Sequence, residues 1–243
     1  MRLSTPAILL AVRARGEHGA VVRALTPDDG VQPGYVRGGR SRRLRPVLMP
    51  GNLIQADYRA HTDAQLAQLS VELIHSRAPL LAEPLPAAAI EWATVLTATA
   101  LPEAQPYRRV HDGLEGLLNA VEAAPSALGW AAALVRYELL LLGELGFGLD
   151  LSACAATGAT EALAFVSPKS GRAVSVAGAA GLEDRLLRLP PFVRAGGPAT
   201  WREIADGLAL ARHFLARDLL IERQAEVLAA RERLTERLAR VTR

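Results

Sequence analysis

The hydrophobic period of this chain changes once, at a proline-rich segment, and the two sides of that change call for different structures. Between Ala78 and Pro86, Pro79, Pro84 and Pro86 keep any strand or helix from running through. Before the segment, apolar residues alternate with polar ones, the period of a half-buried strand. Ile54, Ala56, Tyr58 and Ala60 fall on one face, with Gln55, Asp57 and Arg59 on the other. Leu69, Val71 and Leu73 repeat the pattern. Ala7 to Arg13, Val21 to Leu25 and Val31 to Arg37 complete a set of five short strands. The turns Gly16-Glu17-His18-Gly19 and Asp28-Asp29-Gly30 separate the first three. Regular short strands with turns between them predict a small barrel. An OB-fold suits the length, and an SH3-like barrel is an alternative that periodicity does not separate.

Beyond the prolines the period is helical. Ala87 to Leu101 is rich in Ala and Leu. Pro106 suits the first turn of a second helix reaching about Ala124. Ser126 is a candidate N-cap for a third, reaching about Phe147, with Gly146 or Gly148 as its stop. Thr200 and Glu203 have the spacing of a capping box for a helix to about Leu220. A charged helix, Gln224 to Val241, carries a thin stripe of Leu228, Leu234 and Leu238. The stretch at about 149–178 interrupts this pattern with small and polar residues, and Pro168 to Gly171 reads as a hairpin turn. The expected class is α+β, with a barrel domain at 1–80 and a helical domain at 81–243 that carries the insert.

The net charge of +3 hides an asymmetry: up to Leu80 there are 11 arginines against 6 acids, and afterwards 17 cations against 19 acids. Five of the arginines crowd into Arg37-Gly38-Gly39-Arg40-Ser41-Arg42-Arg43-Leu44-Arg45, and no acid lies between Gly30 and Asp57. Like charges at this density repel one another unless an anion resolves them, and phosphates do so with release of counterions. On a barrel this points to nucleic acid; a solvated loop, or an acidic protein partner, is the alternative. The barrel segment has only Tyr35 and Tyr58 as aromatics, too few for an extended stacking platform. Tyr58 lies on the apolar face and is expected in the core. The expected binding mode is therefore directed at the backbone, independent of sequence and steep in salt.

Other classes have less support. The glycine pairs match neither a Walker A loop nor a dinucleotide fingerprint. His18, His61, His75, His111 and His213 are dispersed without ligand spacing, and Glu138 and Glu144 are expected to be exposed or paired with Arg136. No enzyme is expected. Cys154, the single cysteine, excludes a disulfide within the chain and is expected to be buried. The apolar stretch from Leu128 to Leu149 carries Arg136, Glu138 and Glu144, so a buried helix is expected rather than a membrane span, with a cytoplasmic location.

Three stretches together carry a family likeness: Tyr35 to Pro46 with Leu48 and Pro50-Gly51; Val135 to Leu149; and Cys154-Ala155-Ala156-Thr157-Gly158 with Phe165 to Gly171. In order and spacing the chain resembles the bacterial RecO recombination mediators. The resemblance implies an N-terminal OB-fold, a helical domain and a small zinc-finger-like insert. It also implies binding and annealing of single- and double-stranded DNA, and loading of RecA, together with RecR, onto DNA coated by the single-strand-binding protein SSB. The residues expected to contact DNA are Tyr35, Arg37, Arg40, Arg42, Arg43 and Arg45, joined by Lys169 and Arg172 in the insert. The acidic C-terminal tail of SSB is expected on Arg136, Leu139, Leu140 and Gly143. Some members hold zinc with four cysteines in the insert. Here Cys154 alone remains, and Ala155, Thr157 and Gly158 are not thiolate ligands, so the zinc is expected to be lost and no cofactor is expected.

Overall fold

The computed structural model describes residues 2–60, 62, 65–220 and 224–241; His61 lies outside them. The five strands are β1 (Arg2–Arg15), β2 (Gly19–Thr26), β3 (Gly30–Val36), β4 (Leu53–Arg59) and β5 (Ala67–His75); β1, β2 and β5 run longer than the expected segments, and β3 and β4 begin one residue earlier than expected. They close in the order β1-β2-β3-β5-β4. Every pairing is antiparallel except β3 with β5, a short parallel contact of Gly34 with Ala67 and Tyr35 with Gln68. This order is that of the OB-fold and decides the choice periodicity left open. The barrel interior is the alternating apolar set, including Leu9, Val22, Val36, Ile54, Tyr58 and Leu69. Tyr58 is in the core as expected, its hydroxyl donating to the Gln32 carbonyl at 3.3 Å, and burial pushes its pKa up.

The change from strand to helix falls at the prolines, where α1 begins (Pro84–Ala100); α2 (Arg108–Ala123) follows. Pro106 lies two residues ahead of α2 rather than inside its first turn. Further on are α3 (Ala127–Glu144), α4 (Pro191–Ala195), α5 (Trp201–Phe214) and α6 (Gln224–Val241). Gly146 stops α3: with its φ at 88°, its own N–H reaches the Gly143 carbonyl and that of Phe147 reaches Leu142. The capping box forms, the Thr200 hydroxyl accepting from Glu203 N while Glu203 Oε2 accepts from Thr200 N at 2.7 Å. A π-helical turn, Leu215–Leu219, extends α5, a feature without any signature in the sequence.

The two compact units do not divide at the prolines. One holds residues 1–122 with 225–241; the other holds 123–224. The reason lies in long-range contacts. Arg233 of α6 pairs with Glu91 of α1 at 2.7 Å, Arg231 lies over the Trp92 ring, and Arg237 donates to the Pro84 carbonyl. In the second unit, the insert folds as a three-stranded sheet, β7-β6-β8, from β6 (Leu163–Val166), β7 (Ala173–Ser175) and β8 (Leu187–Arg188). It thus runs past residue 178, because β8 returns to pair with Phe165 and Val166. No helix among the described residues is long and apolar enough to cross a membrane.

Candidate nucleic-acid interface

The arginine-rich segment is a folded chain of turns rather than a free loop. Gly39 N bonds Val36 O, Ser41 N bonds Gly38 O, and Arg45 N and Leu48 N bond Ser41 O and Leu44 O. Gly39 lets it approach the barrel, since a Cβ there would fall 2.7 Å from that of Ala20. Its far end is held by Asn52, whose Nδ2 donates to the carbonyls of Pro46 and Val47 at 2.9 and 3.0 Å. Leu44, Val47 and Leu48 face the barrel core, which leaves Arg37, Arg40, Arg42, Arg43 and Arg45 exposed.

The β1–β2 turn closes the other side. Arg40 N bonds the His18 carbonyl at 3.2 Å, and its guanidinium donates to the Glu17 carbonyl at 3.0 Å. Glu17, His18, Gly38, Arg40, Ser41 and Arg45 line a cleft of about 330 Å³. Among the described residues, Arg37, Arg42, Arg43 and Arg45 have no carboxylate partner. Tyr35 is half-buried, and a Cβ at Gly19 would fall 2.2 Å from its hydroxyl, so its ring covers the backbone at the start of β2. Two exposed arginines missed in the sequence join this rim. Arg13 and Arg15 occupy alternate positions at the end of β1, opposite Val21 and Gly19, and Val21 in turn pairs with Tyr35. Continuing the alternation beyond Val12 would have found them. Glu17 is the one acidic residue lining the cleft.

In the second unit, Arg136, Leu139, Leu140 and Gly143 follow one another along one face of α3, at the i, i+3, i+4, i+7 spacing. The Arg136 guanidinium is 5.7 Å from the Phe192 ring centroid and reaches the Gly197 carbonyl at 3.5 Å. Leu139 and Leu140 are half-buried, and Gly143 is exposed. Glu138 corrects an expectation: it is fully buried rather than exposed or paired with Arg136. Two residues along a helix is about 200° of rotation, so the two side chains leave on opposite sides.

The family model for the N-terminal part of recombination protein O matches residues 1–77, and that for its C-terminal part matches residues 86–225. The chain belongs to the RecO family. It is 43% identical over 240 residues to the DNA repair protein RecO of Gluconacetobacter diazotrophicus, covering 97% of this chain and 94% of that one. It is 44% identical over 245 residues to that of Acidiphilium cryptum, covering 99% and 96%. The protein of the same name from Cereibacter sphaeroides (strain ATCC 17029 / ATH 2.4.9) is 41% identical over 233 residues, 96% of each.

Within this RecO-family chain the insert presents Lys169 and Arg172 differently. The β6–β7 turn is clamped from the π-helical end of α5, with Arg217 donating to the carbonyls of Pro168 and Lys169 and His213 to that of Pro168. The Lys169 side chain is exposed, whereas Arg172 is paired with Asp150 at 3.4 Å. Cys154 is buried; its sulfur accepts from the Ser175 hydroxyl and amide, and these bonds, with others from Thr157, pull its pKa down to about 6. Among the described residues no group of three or more His, Cys, Asp or Glu could hold a metal ion.

Proposed function

We propose that this RecO-family protein is a non-enzymatic recombination mediator. It binds single- and double-stranded DNA at the arginine rim of the barrel, anneals complementary strands, and acts with RecR to load RecA onto SSB-coated DNA. One observation carries the DNA reading. Hydrogen-bonded turns hold exposed arginines side by side on the rim, and four of them have no carboxylate partner among the described residues. Guanidinium forks take phosphate oxygens bidentately, and a fixed row of them tracks a phosphate backbone at little ordering cost. Tyr35, half-buried on the same rim, adds at most one base contact, so affinity comes from phosphates rather than from sequence.

The direct test is fluorescence anisotropy with a labelled single-stranded oligonucleotide across a salt series. Binding that weakens steeply, with a log–log slope of several units, is expected. No binding at low salt would overturn the reading and leave the rim as a site for an acidic protein. Glu17 gives a second check. Glu17 lines the cleft with Arg40 and Arg45, so Glu17→Gln is expected to tighten DNA binding a few-fold at low salt, with the gain vanishing at high salt. Unchanged affinity would place the DNA away from this cleft.

The SSB tail, acidic and ending in an apolar residue, fits the α3 face, where Arg136 supplies the cation and Leu139 and Leu140 the apolar surface. Gly143 leaves room at its end. Arg136→Ala is expected to weaken binding of an SSB-tail peptide at least tenfold by calorimetry, while leaving the salt slope for DNA unchanged. Equal peptide affinity in the variant removes the site. Lys169, and Arg172 once parted from Asp150, add phosphate contacts in the second unit.

A further inference from the structure

Two pairs of residues in the insert, Cys154 with Thr157 and Ser175 with Gly178, each enclose two residues, the spacing that pairs of thiolate ligands take around zinc. The fold brings all four positions to one point. Ser175 Oγ is 3.3 Å from Cys154 Sγ, 3.4 Å from Thr157 Oγ1 and 3.1 Å from Gly178 N. Position 178 faces the same point, since a Cβ there would fall 2.8 Å from Cys154 Sγ and 3.3 Å from Ser175 Oγ. The donor set does not fit the zinc that the family resemblance implies. It offers one sulfur, two hydroxyls that do not ionise at neutral pH, and a glycine with no ligand atom at all.

We propose that the insert is a metal-free knuckle, in which the side chain of Ser175 occupies the hub and hydrogen bonds replace a four-coordinate zinc. Ala159 N–H donates to Thr157 Oγ1, the hydroxyls of Thr157 and Ser175 meet at 3.4 Å, and Gly178 N–H donates to Ser175 Oγ. The Ser175 hydroxyl and amide then both donate to the Cys154 sulfur, the terminal acceptor. The backbone closes the knuckle through Gly158 N to Cys154 O and Cys154 N to Ala159 O. The cluster is also tighter than a zinc site. Four sulfurs at 2.3 Å from a zinc ion stand about 3.8 Å apart, whereas here a Cβ at position 178 would intrude on the sulfur at 2.8 Å. Glycine at 178 therefore belongs to the collapsed, metal-free form.

The test is elemental analysis with thermal melting, on the full chain. Wild type is expected to purify without stoichiometric zinc and to melt at the same temperature with and without a strong chelator. Ser175→Ala removes the hub and is expected to lower Tm by roughly 3–6 °C. The triple variant Thr157→Cys/Ser175→Cys/Gly178→Cys restores four thiolates at these positions. Purified with zinc, it is expected to carry about one ion per chain and to lose Tm on chelation. Three results would each overturn the proposal: about one zinc in wild type, an unchanged Tm in Ser175→Ala, or a triple variant with the wild-type circular dichroism that takes up no zinc. Should the triple variant not fold, the wild-type metal content and Ser175→Ala decide between the two outcomes.

Discussion

Replacing Arg40, Arg42 and Arg43 together by alanine is expected to reduce the log–log salt slope of single-strand binding by about two units. Each phosphate contact on a single strand contributes about 0.7 to that slope. Between 50 and 200 mM salt, wild-type affinity should therefore fall roughly fifteen-fold further than that of the variant. The three residues are not equivalent. Arg42 and Arg43 have no carboxylate partner among the described residues and act through charge alone. Arg40 also braces the segment, through its bonds to the carbonyls of Glu17 and Gly16. The double variant Arg42→Ala/Arg43→Ala should thus lose about 1.4 units of slope with the rim intact. Adding Arg40→Ala should cost more affinity than its single phosphate contact accounts for. An identical slope in wild type and the triple variant would remove the rim as the DNA site.

Local signals carried the barrel and the cation row, and long-range contacts supplied the rest. The alternation through Ile54, Ala56 and Tyr58 marks β4 because one barrel face is buried, and the arginines crowd within nine consecutive positions. What closes the barrel, the short parallel contact of Gly34 and Tyr35 with β5, joins residues more than thirty positions apart and leaves no periodic trace. The same holds for the cleft. Glu17 and His18 lie on a turn some twenty residues from Arg40, and the bonds from Arg40 N to His18 O and from its guanidinium to Glu17 O bring them to the segment. Glu138 was misjudged for a different reason. Carboxylates are seldom fully buried, so its composition pointed outward while its position on α3 turns it inward. The tail helix α6 reads as an ordinary amphipathic stripe, and nothing in that stripe tells that Arg231 and Arg233 meet Trp92 and Glu91.

Arg77→Ala should be the most destabilising single change among the polar groups of the barrel unit, costing roughly 3 kcal/mol. The Arg77 side chain is only 2% exposed, and it ties the loop before β4 to α2. Nη1 donates to the Gly51 carbonyl at 2.7 Å, Nη2 reaches Asn119 Oδ1 on α2, and Nε stands 3.5 Å from Glu122 Oε2. Burial lowers its pKa, and the carboxylates of Glu122 and Glu115 oppose that shift. Alanine would strand the buried Gly51 carbonyl, whereas the exposed Asn119 amide oxygen can turn to water. The cost belongs at the lower end of the range for breaking a buried pair, because Glu122, 35% exposed, can rehydrate. A fall of roughly 6–10 °C in Tm is expected in calorimetry. The effect should also reach the DNA rim. Arg77 N donates to Asn52 Oδ1, and the same Asn52 amide holds the carbonyls of Pro46 and Val47 at the end of the arginine segment. Asn52→Ala, which leaves every arginine in place, should therefore weaken DNA binding at fixed salt while the salt slope stays near wild type. Unchanged affinity in Asn52→Ala would show that the arginines need no fixed geometry, and that their charge alone governs binding.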